Sequence, residues 1–309
     1  MSNQVNNSPA DFIVPLNMNG LQGRMLRLKS DRPGRKEFLI VYGQRSSIER
    51  WIGIAEFLNR YGSVTMPDLP GFGGMDNLFQ INQKPTLDNL ADYLAAFVKM
   101  NYKRRRVTIV GIGYGFIIAT RMLQRFPDLE QKTDLIISLD GIAHRDDLQL
   151  KRRSLIFFQI TTRLISYRFV SFFIKMLTMN TTALKTIYTE SAKANRRIKD
   201  KSVEKTKNNL SLEIWLWQNN DFRSYITTLL SICKLDNCRQ SLRVPLWHIY
   251  DTNSRYVDAV STEQHLQIIY SDFNSITIND QKIKPIFVTN PKLAARYFPG
   301  KIRQVLSKA

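Results

Sequence analysis

A chain of 309 residues with 43% hydrophobic content can bury one large core, which excludes a disordered polymer and a small disulfide-stapled scaffold. Its 45 Lys and Arg against 26 Asp and Glu give a formal charge of +19, a field that favours anionic partners. The two cysteines, Cys233 and Cys238, and three histidines, His144, His248 and His265, show no C-x-x-C or H-E-x-x-H spacing, so no metal and no cofactor is expected.

The first ten residues are polar, carry no apolar leader and are expected to be disordered; a cytoplasmic chain with free thiols follows as an expectation. Residues 11–18 and 22–29 are β-rich runs joined through Asn19-Gly20, a hairpin signal. The run Glu37-Phe-Leu-Ile-Val-Tyr-Gly43 predicts a buried strand, and residues 48–60, with Trp51, Ile54 and Leu58 apolar, predict a helix behind it. A strand at 63–66 runs into the turn-rich loop Pro67-Asp-Leu-Pro-Gly-Phe-Gly-Gly74. Thr86 then precedes an amphipathic helix through Leu87, Leu90, Tyr93, Leu94 and Phe97. Next comes Val107-Thr-Ile-Val-Gly-Ile-Gly-Tyr-Gly-Phe116, a buried strand turning sharply into a helix over 115–126, with a further strand at 134–139 and the loop Asp140-Gly-Ile-Ala-His144. Strand and helix alternate throughout, which predicts an α/β protein whose central sheet is mostly parallel and flanked by helices.

Residues 148–240 lose the strand pattern and read as an inserted helical cap rich in Phe, Tyr, Ile, Lys and Arg. Between residues 145 and 240 there are 18 basic and 8 acidic residues, so +10 of the +19 resides in about a third of the chain. The stretch 155–177 is apolar and aromatic but interrupted by Arg163 and Arg168, which disfavours a membrane span. Two roles remain for it: packing its aromatics over the cleft, or lying on an anionic membrane surface. Sheet-like sequence resumes at 244–250, followed by a helix at 262–270, a last strand at 275–279 and a C-terminal helix at 300–307. The core is thus divided between residues 11–147 and 241–309.

Three segments, in this order, resemble the α/β-hydrolase fold superfamily in its cap-bearing branch: Val41-Tyr-Gly43 where the family has its oxyanion segment, Pro67 to Gly73 as its aspartate-proline-glycine loop, and Gly111 to Gly115 as its nucleophile elbow G-x-S-x-G. The resemblance implies a Ser-acid-His triad, and the chain departs from it at each member. Gly113 stands at the nucleophile position. Ser254 falls at the acid position, between Asp251 and Asp258, and no histidine follows residue 279. The expectation is a degenerate hydrolase that binds a ligand or acts as a scaffold. Its backbone donors at Gln44 and Tyr114, beside Gly43 and Gly113, would receive a small acidic or acyl-type ligand.

Alternatives are a divergent hydrolase acting on ester or acyl-type substrates through a relocated Asp140 and His144, and a peripheral protein on anionic membranes. His248 reads as a core residue in an apolar strand, and His265 as lying on a helix far from the carboxyl edge of the sheet. Gly111-x-Gly113-x-Gly115 also suggests a dinucleotide fingerprint, but its third glycine would have to be at Phe116. The basic clusters 103–106 and 196–201 lack an aromatic platform or recognition motif, so nucleic acid is not an expected partner. The sequence does not specify an oligomeric state.

Overall fold

A computed structural model describes residues 9–30, 36–150, 152–191, 199, 203–252, 256–278 and 288–307. Strands β1 (Ile13–Met18) and β2 (Leu21–Leu28) form the expected hairpin. Asn19 and Gly20 both take positive φ, 53° and 78°, the two-residue turn whose twist matches that of paired strands. Residues 9 and 10, expected to be disordered, open a short 3-10 turn at Pro9–Phe12; residues 1–8 lie outside the described set.

The core continues through β3 (Lys36–Val41), α1 (Ile48–Asn59), β4 (Gly62–Pro67), α2 (Leu87–Asn101), β5 (Val107–Ile112), α3 (Tyr114–Arg125), the turn α4 (Pro127–Glu130) and β6 (Thr133–Leu139). Thr86 caps α2 as its sequence position suggested, its Oγ1 accepting from Asn89 N at 3.2 Å. The helical excursion then contributes α5 (Arg152–Ile165), α6 (Arg168–Thr178), α7 (Thr181–Glu190), α8 (Val203–Asn219) and α9 (Phe222–Cys233). The chain returns to the core with β7 (Leu246–Asp251), α10 (Ala259–Ile269), β8 (Phe273–Ile278), the turn α11 (Pro291–Ala294) and α12 (Gly300–Ser307).

The eight strands form one sheet in the order β1-β2-β4-β3-β5-β6-β7-β8. β1 to β2 and β2 to β4 are antiparallel, and every later pairing is parallel. This order, led by an antiparallel hairpin, is not that of a dinucleotide-binding sheet, so the fingerprint reading of the three glycines is set aside. All six residues of β5 are buried, as a central parallel strand covered by helices on both faces requires.

Two boundaries differ from the sequence reading. β7 starts at Leu246 rather than 244, because Pro245, without an N–H, precedes the ladder and offers only its carbonyl, to Ile136 N at 2.9 Å. α10 starts at Ala259 because Asp258 caps it, accepting from Ser261 N at 3.0 Å. Asp258 is therefore committed to the start of a helix.

The excursion is joined to the core by a buried ion pair. Arg45, in the loop after β3, lies 2.6 Å from Glu213 of α8, whose carboxylate also accepts from Tyr188 Oη at 2.7 Å. The Arg45 guanidinium sits over Trp217, 4.6 Å from the ring centroid. Burial works against its charge, but Glu213 more than offsets that and holds the pKa above the usual arginine value. Asp221 N and Asn220 Oδ1 bind the backbone of Gly71 and Gly73, tying the same helices to the loop after β4.

Candidate functional site at the β5 elbow

The turn between β5 and α3 has the geometry of a nucleophile elbow. Gly113 holds φ 54° and ψ −117°, a region costly for any residue with a side chain. A Cβ built on Gly113 would meet nothing within 4 Å, so the position opens onto free space. Gly115 is the opposite case: a Cβ there would stand 2.0 Å from Val41 O, so only glycine lets α3 approach the end of β3 this closely.

The four residues expected to form a ligand site come together. Gly43, Gln44, Gly113 and Tyr114 line one open cleft of about 310 Å³. Arg45, Arg50, Trp51, Tyr225 and Ile232 complete much of its wall. Tyr114 is the first residue of α3, so its N–H has no acceptor within the helix and sits at the positive end of the helix dipole. α9 roofs the cleft, and Thr228 on that helix donates to Gln44 Oε1 at 2.6 Å.

Asp140 and His144 have different partners and do not emerge as a relocated pair. Asp140, at positive φ of 51°, accepts from Asp251 N at 3.2 Å and lines a separate cavity of about 110 Å³ with His248 and Tyr250. His144 caps the turn Arg145–Asp147, its Nδ1 accepting from Asp146 N at 3.2 Å. The cause is local: Asp147, three residues on, accepts from Ala143 N and His144 N at 2.7 and 2.9 Å, and so folds the loop back on itself. Ser254 and residues 279–287, where the family's acid and histidine turns would fall, lie outside the described residues.

His265 corrects the sequence reading. Rather than standing apart, its ring lies 4.7 Å from that of His144, and its Nδ1 is hydrogen-bonded to the fully buried Asp147. Ser261 Oγ approaches the same nitrogen at 3.5 Å. His248 is a core residue, 2% exposed, with Nδ1 3.0 Å from Ser138 Oγ; burial pushes its pKa down to about 3. Neither Asp147 nor His265 lines the elbow cleft.

A second buried acid also escaped the sequence reading. Asp68, in the loop after β4, takes hydrogen bonds from Tyr42 Oη, Arg24 Nε and Ile48 N, and Arg24 continues to Glu49 at 2.5 Å. Burial pushes the Asp68 carboxyl up to about 6, opposed by Arg24 and by the Tyr42 hydrogen bond. The network ties β2, α1 and the loops after β3 and β4 together.

The aromatics of α5 and α6 do not pack over the cleft, contrary to one of the two roles expected of them. Most of their large side chains face solvent. Among the described residues no helix is long and apolar enough to cross a membrane, and no group of three His, Cys, Asp or Glu is placed to hold a metal ion. Within the 103–106 cluster, Arg105 and Arg106 pair with Glu37 and Asp134; most of residues 196–201 lie outside the described set.

No family model and no curated protein matches the chain. Solved structures do. An enol-lactonase from Burkholderia xenovorans LB400 superposes with a TM-score of 0.63 at 12% identity, over 95% of this chain and 98% of that one. An epoxide hydrolase gives 0.61 at 16% identity, over 95% and 96%. A membrane phospholipase A, a bacterial virulence factor, gives 0.64 at 14% identity, over 96% and 87%. At these identities the likeness establishes architecture, and with the strand order and the elbow it leads to one conclusion: this chain has the α/β-hydrolase fold.

Proposed function

We propose that the protein is a non-catalytic member of this fold, a ligand-binding protein or scaffold whose elbow cleft receives a small acidic or acyl-type molecule. The observation that carries the reading is Gly113. The backbone keeps the strained turn that presents a nucleophile, and the position offers open space in place of an Oγ. What remains is a concave site with the Tyr114 N–H at a helix start, the Gln44 backbone beside it and two arginines in its wall. An anion there would gain hydrogen bonds from the backbone, and the one serine among the described lining residues, Ser46, has its Oγ engaged by Trp51 Nε1 at 2.8 Å.

A second reading, a divergent hydrolase with rearranged residues, draws on the hydrogen-bonded Asp147 and His265, an acid orienting an imidazole as general-base chemistry requires. Its weakness is position, because the pair does not line the cleft.

The test combines binding and turnover. Purified protein is titrated calorimetrically with short- and medium-chain carboxylates and assayed on aryl esters beside Gly113→Ser and Gly113→Trp, the latter filling the cleft. Carboxylate binding lost in Gly113→Trp, with no turnover and no fluorophosphonate labelling of wild type, is the expected result. Ester turnover by wild type that is lost in His265→Gln would replace this reading with the second one. Absence of carboxylate binding that Gly113→Trp can abolish would overturn the ligand-binding reading.

A further inference from the structure

The hairpin of α5 and α6 is packed inside out. Among its described side chains the buried ones are Thr162 and Ser171, 3% and 4% exposed, both satisfied by carbonyls of their own hairpin. Outside stand the aromatics: Phe169 is 78% exposed and Phe157 71%. Of the 20 exposed large apolar side chains among the described residues, 12 fall between Ile156 and Leu177. Isolated exposed apolar residues are ordinary, but such a concentration on two helices in contact marks an interaction surface.

The arrangement is regular. On α6, Phe169, Phe172, Phe173, Met176 and Leu177 recur at i, i+3, i+4, i+7 and i+8, so a single apolar stripe runs the length of the helix and faces away from the protein. Ser171 is on the opposite, inward side. Arg168 and Lys175, seven residues apart, share a line roughly a third of a turn from the centre of the stripe, where their chains can extend to a polar layer beside it. On α5, which packs against α6, Phe157, Ile160 and Leu164 recur at i, i+3 and i+7 and form a second exposed apolar stripe.

Charge identifies the occupant. From residue 148 to 189 the chain carries seven basic residues and no acidic one. An apolar partner protein would not require such one-sided flanks, whereas a lipid surface with anionic headgroups does. Because neither helix is long enough to span a bilayer, the mode is in-plane, with aromatics in the acyl boundary and arginine and lysine among the headgroups. We propose that the α5–α6 face is a docking surface for an anionic lipid bilayer. The proposal does not depend on whether the elbow cleft binds a ligand.

The test is vesicle flotation of the full chain at about 0.15 M salt, using phosphatidylcholine vesicles with and without about 30% phosphatidylserine. Wild type is compared with Phe169→Ser/Phe173→Ser and with the distant Lys103→Glu/Arg104→Glu. All three are checked by thermal melting and by size-exclusion chromatography. The expected result is co-flotation with the anionic vesicles, weakened roughly tenfold by the double serine change and largely kept by the distant charge reversal. Because the altered aromatics touch solvent, melting should not shift. Three results would overturn the proposal: no co-flotation, co-flotation indifferent to the aromatic change, or a dimer that the serine variant dissociates while vesicles bind neither form. The second of these would mean plain adsorption by a protein of charge +19.

Discussion

Gly113 and Gly115 are two residues apart, yet they answer to different constraints. Gly113 is at φ 54° with open space around it, so Gly113→Ser meets only backbone strain and is expected to cost about 1–3 kcal/mol while the chain still folds. Gly115→Ser drives a side chain into Val41 O at the end of β3, so it should cost more and displace the strand that leads into Gly43. Urea unfolding of the two variants checks the order, and equal losses would contradict it. His248 supplies a pH prediction. Ser138 Oγ accepts from Gly141 N, which leaves its hydroxyl to donate to a neutral His248 Nδ1. Because burial lowers the folded pKa to about 3, the stability this residue contributes is present above the unfolded histidine value and is lost as pH falls through 6.5 toward 3. Between about pH 7.5 and pH 5 the protein should lose about 2 kcal/mol on this account. In His248→Asn that part of the pH slope should vanish, as read by denaturant titrations at the two pH values.

At the scale of elements, the buried pair of Arg45 and Glu213 is one of the ties between the helical excursion and the sheet. Both are buried, so removing one partner deprives the other of its closest opposite charge: Arg45→Met should cost about 3–5 kcal/mol, and Arg45→Met/Glu213→Leu should recover most of it. A double-mutant cycle by equilibrium unfolding decides this, and additive losses would show that the pair is uncoupled. Neither residue stands out in the sequence, because a lone arginine after a strand and a lone glutamate in a helix become partners only when residues 168 positions apart meet. The same reason hid the pairing of Asp147 with His265, 118 positions apart, and of Arg24 with Asp68, 44 apart. One local signal was available: His144 and Asp147 have the cap-x-x-acid spacing of a capping box, which marks Asp147 as folded back on its own loop. The strands and the elbow were legible because their information is local. Apolar runs such as Val107–Ile112 fit only a buried strand, and the spacing of Gly111, Gly113 and Gly115 records how closely backbone must approach backbone. Amphipathic spacing in α6 likewise revealed an apolar stripe, but periodicity does not say what that stripe faces.

Across the whole molecule, two regimes of packing stand side by side, with α9 between them. The sheet strands β3, β5 and β6 are buried nearly end to end and form one continuous core with α1, α2 and α3. Among the described residues the α5–α6 hairpin contributes no large apolar side chain to that core, and most of its residues are exposed. Local opening free energy follows buried apolar contact, so the two regions should separate in amide hydrogen exchange. Amides of β5 are expected to exchange only through global unfolding, while those of Arg168–Thr178 exchange through local opening, faster by several orders of magnitude for a domain of ordinary stability. Mass-spectrometric exchange on the full chain reads this directly. If α6 instead exchanges as slowly as β5, an unrecognised partner surface must protect it in solution, and the size-exclusion profile at matched concentration would show that partner to be a second copy. If α6 exchanges fast in buffer and slows only with anionic vesicles, the hairpin is a marginally stable element completed by the surface it binds, and α9 connects that surface to the roof of the elbow cleft.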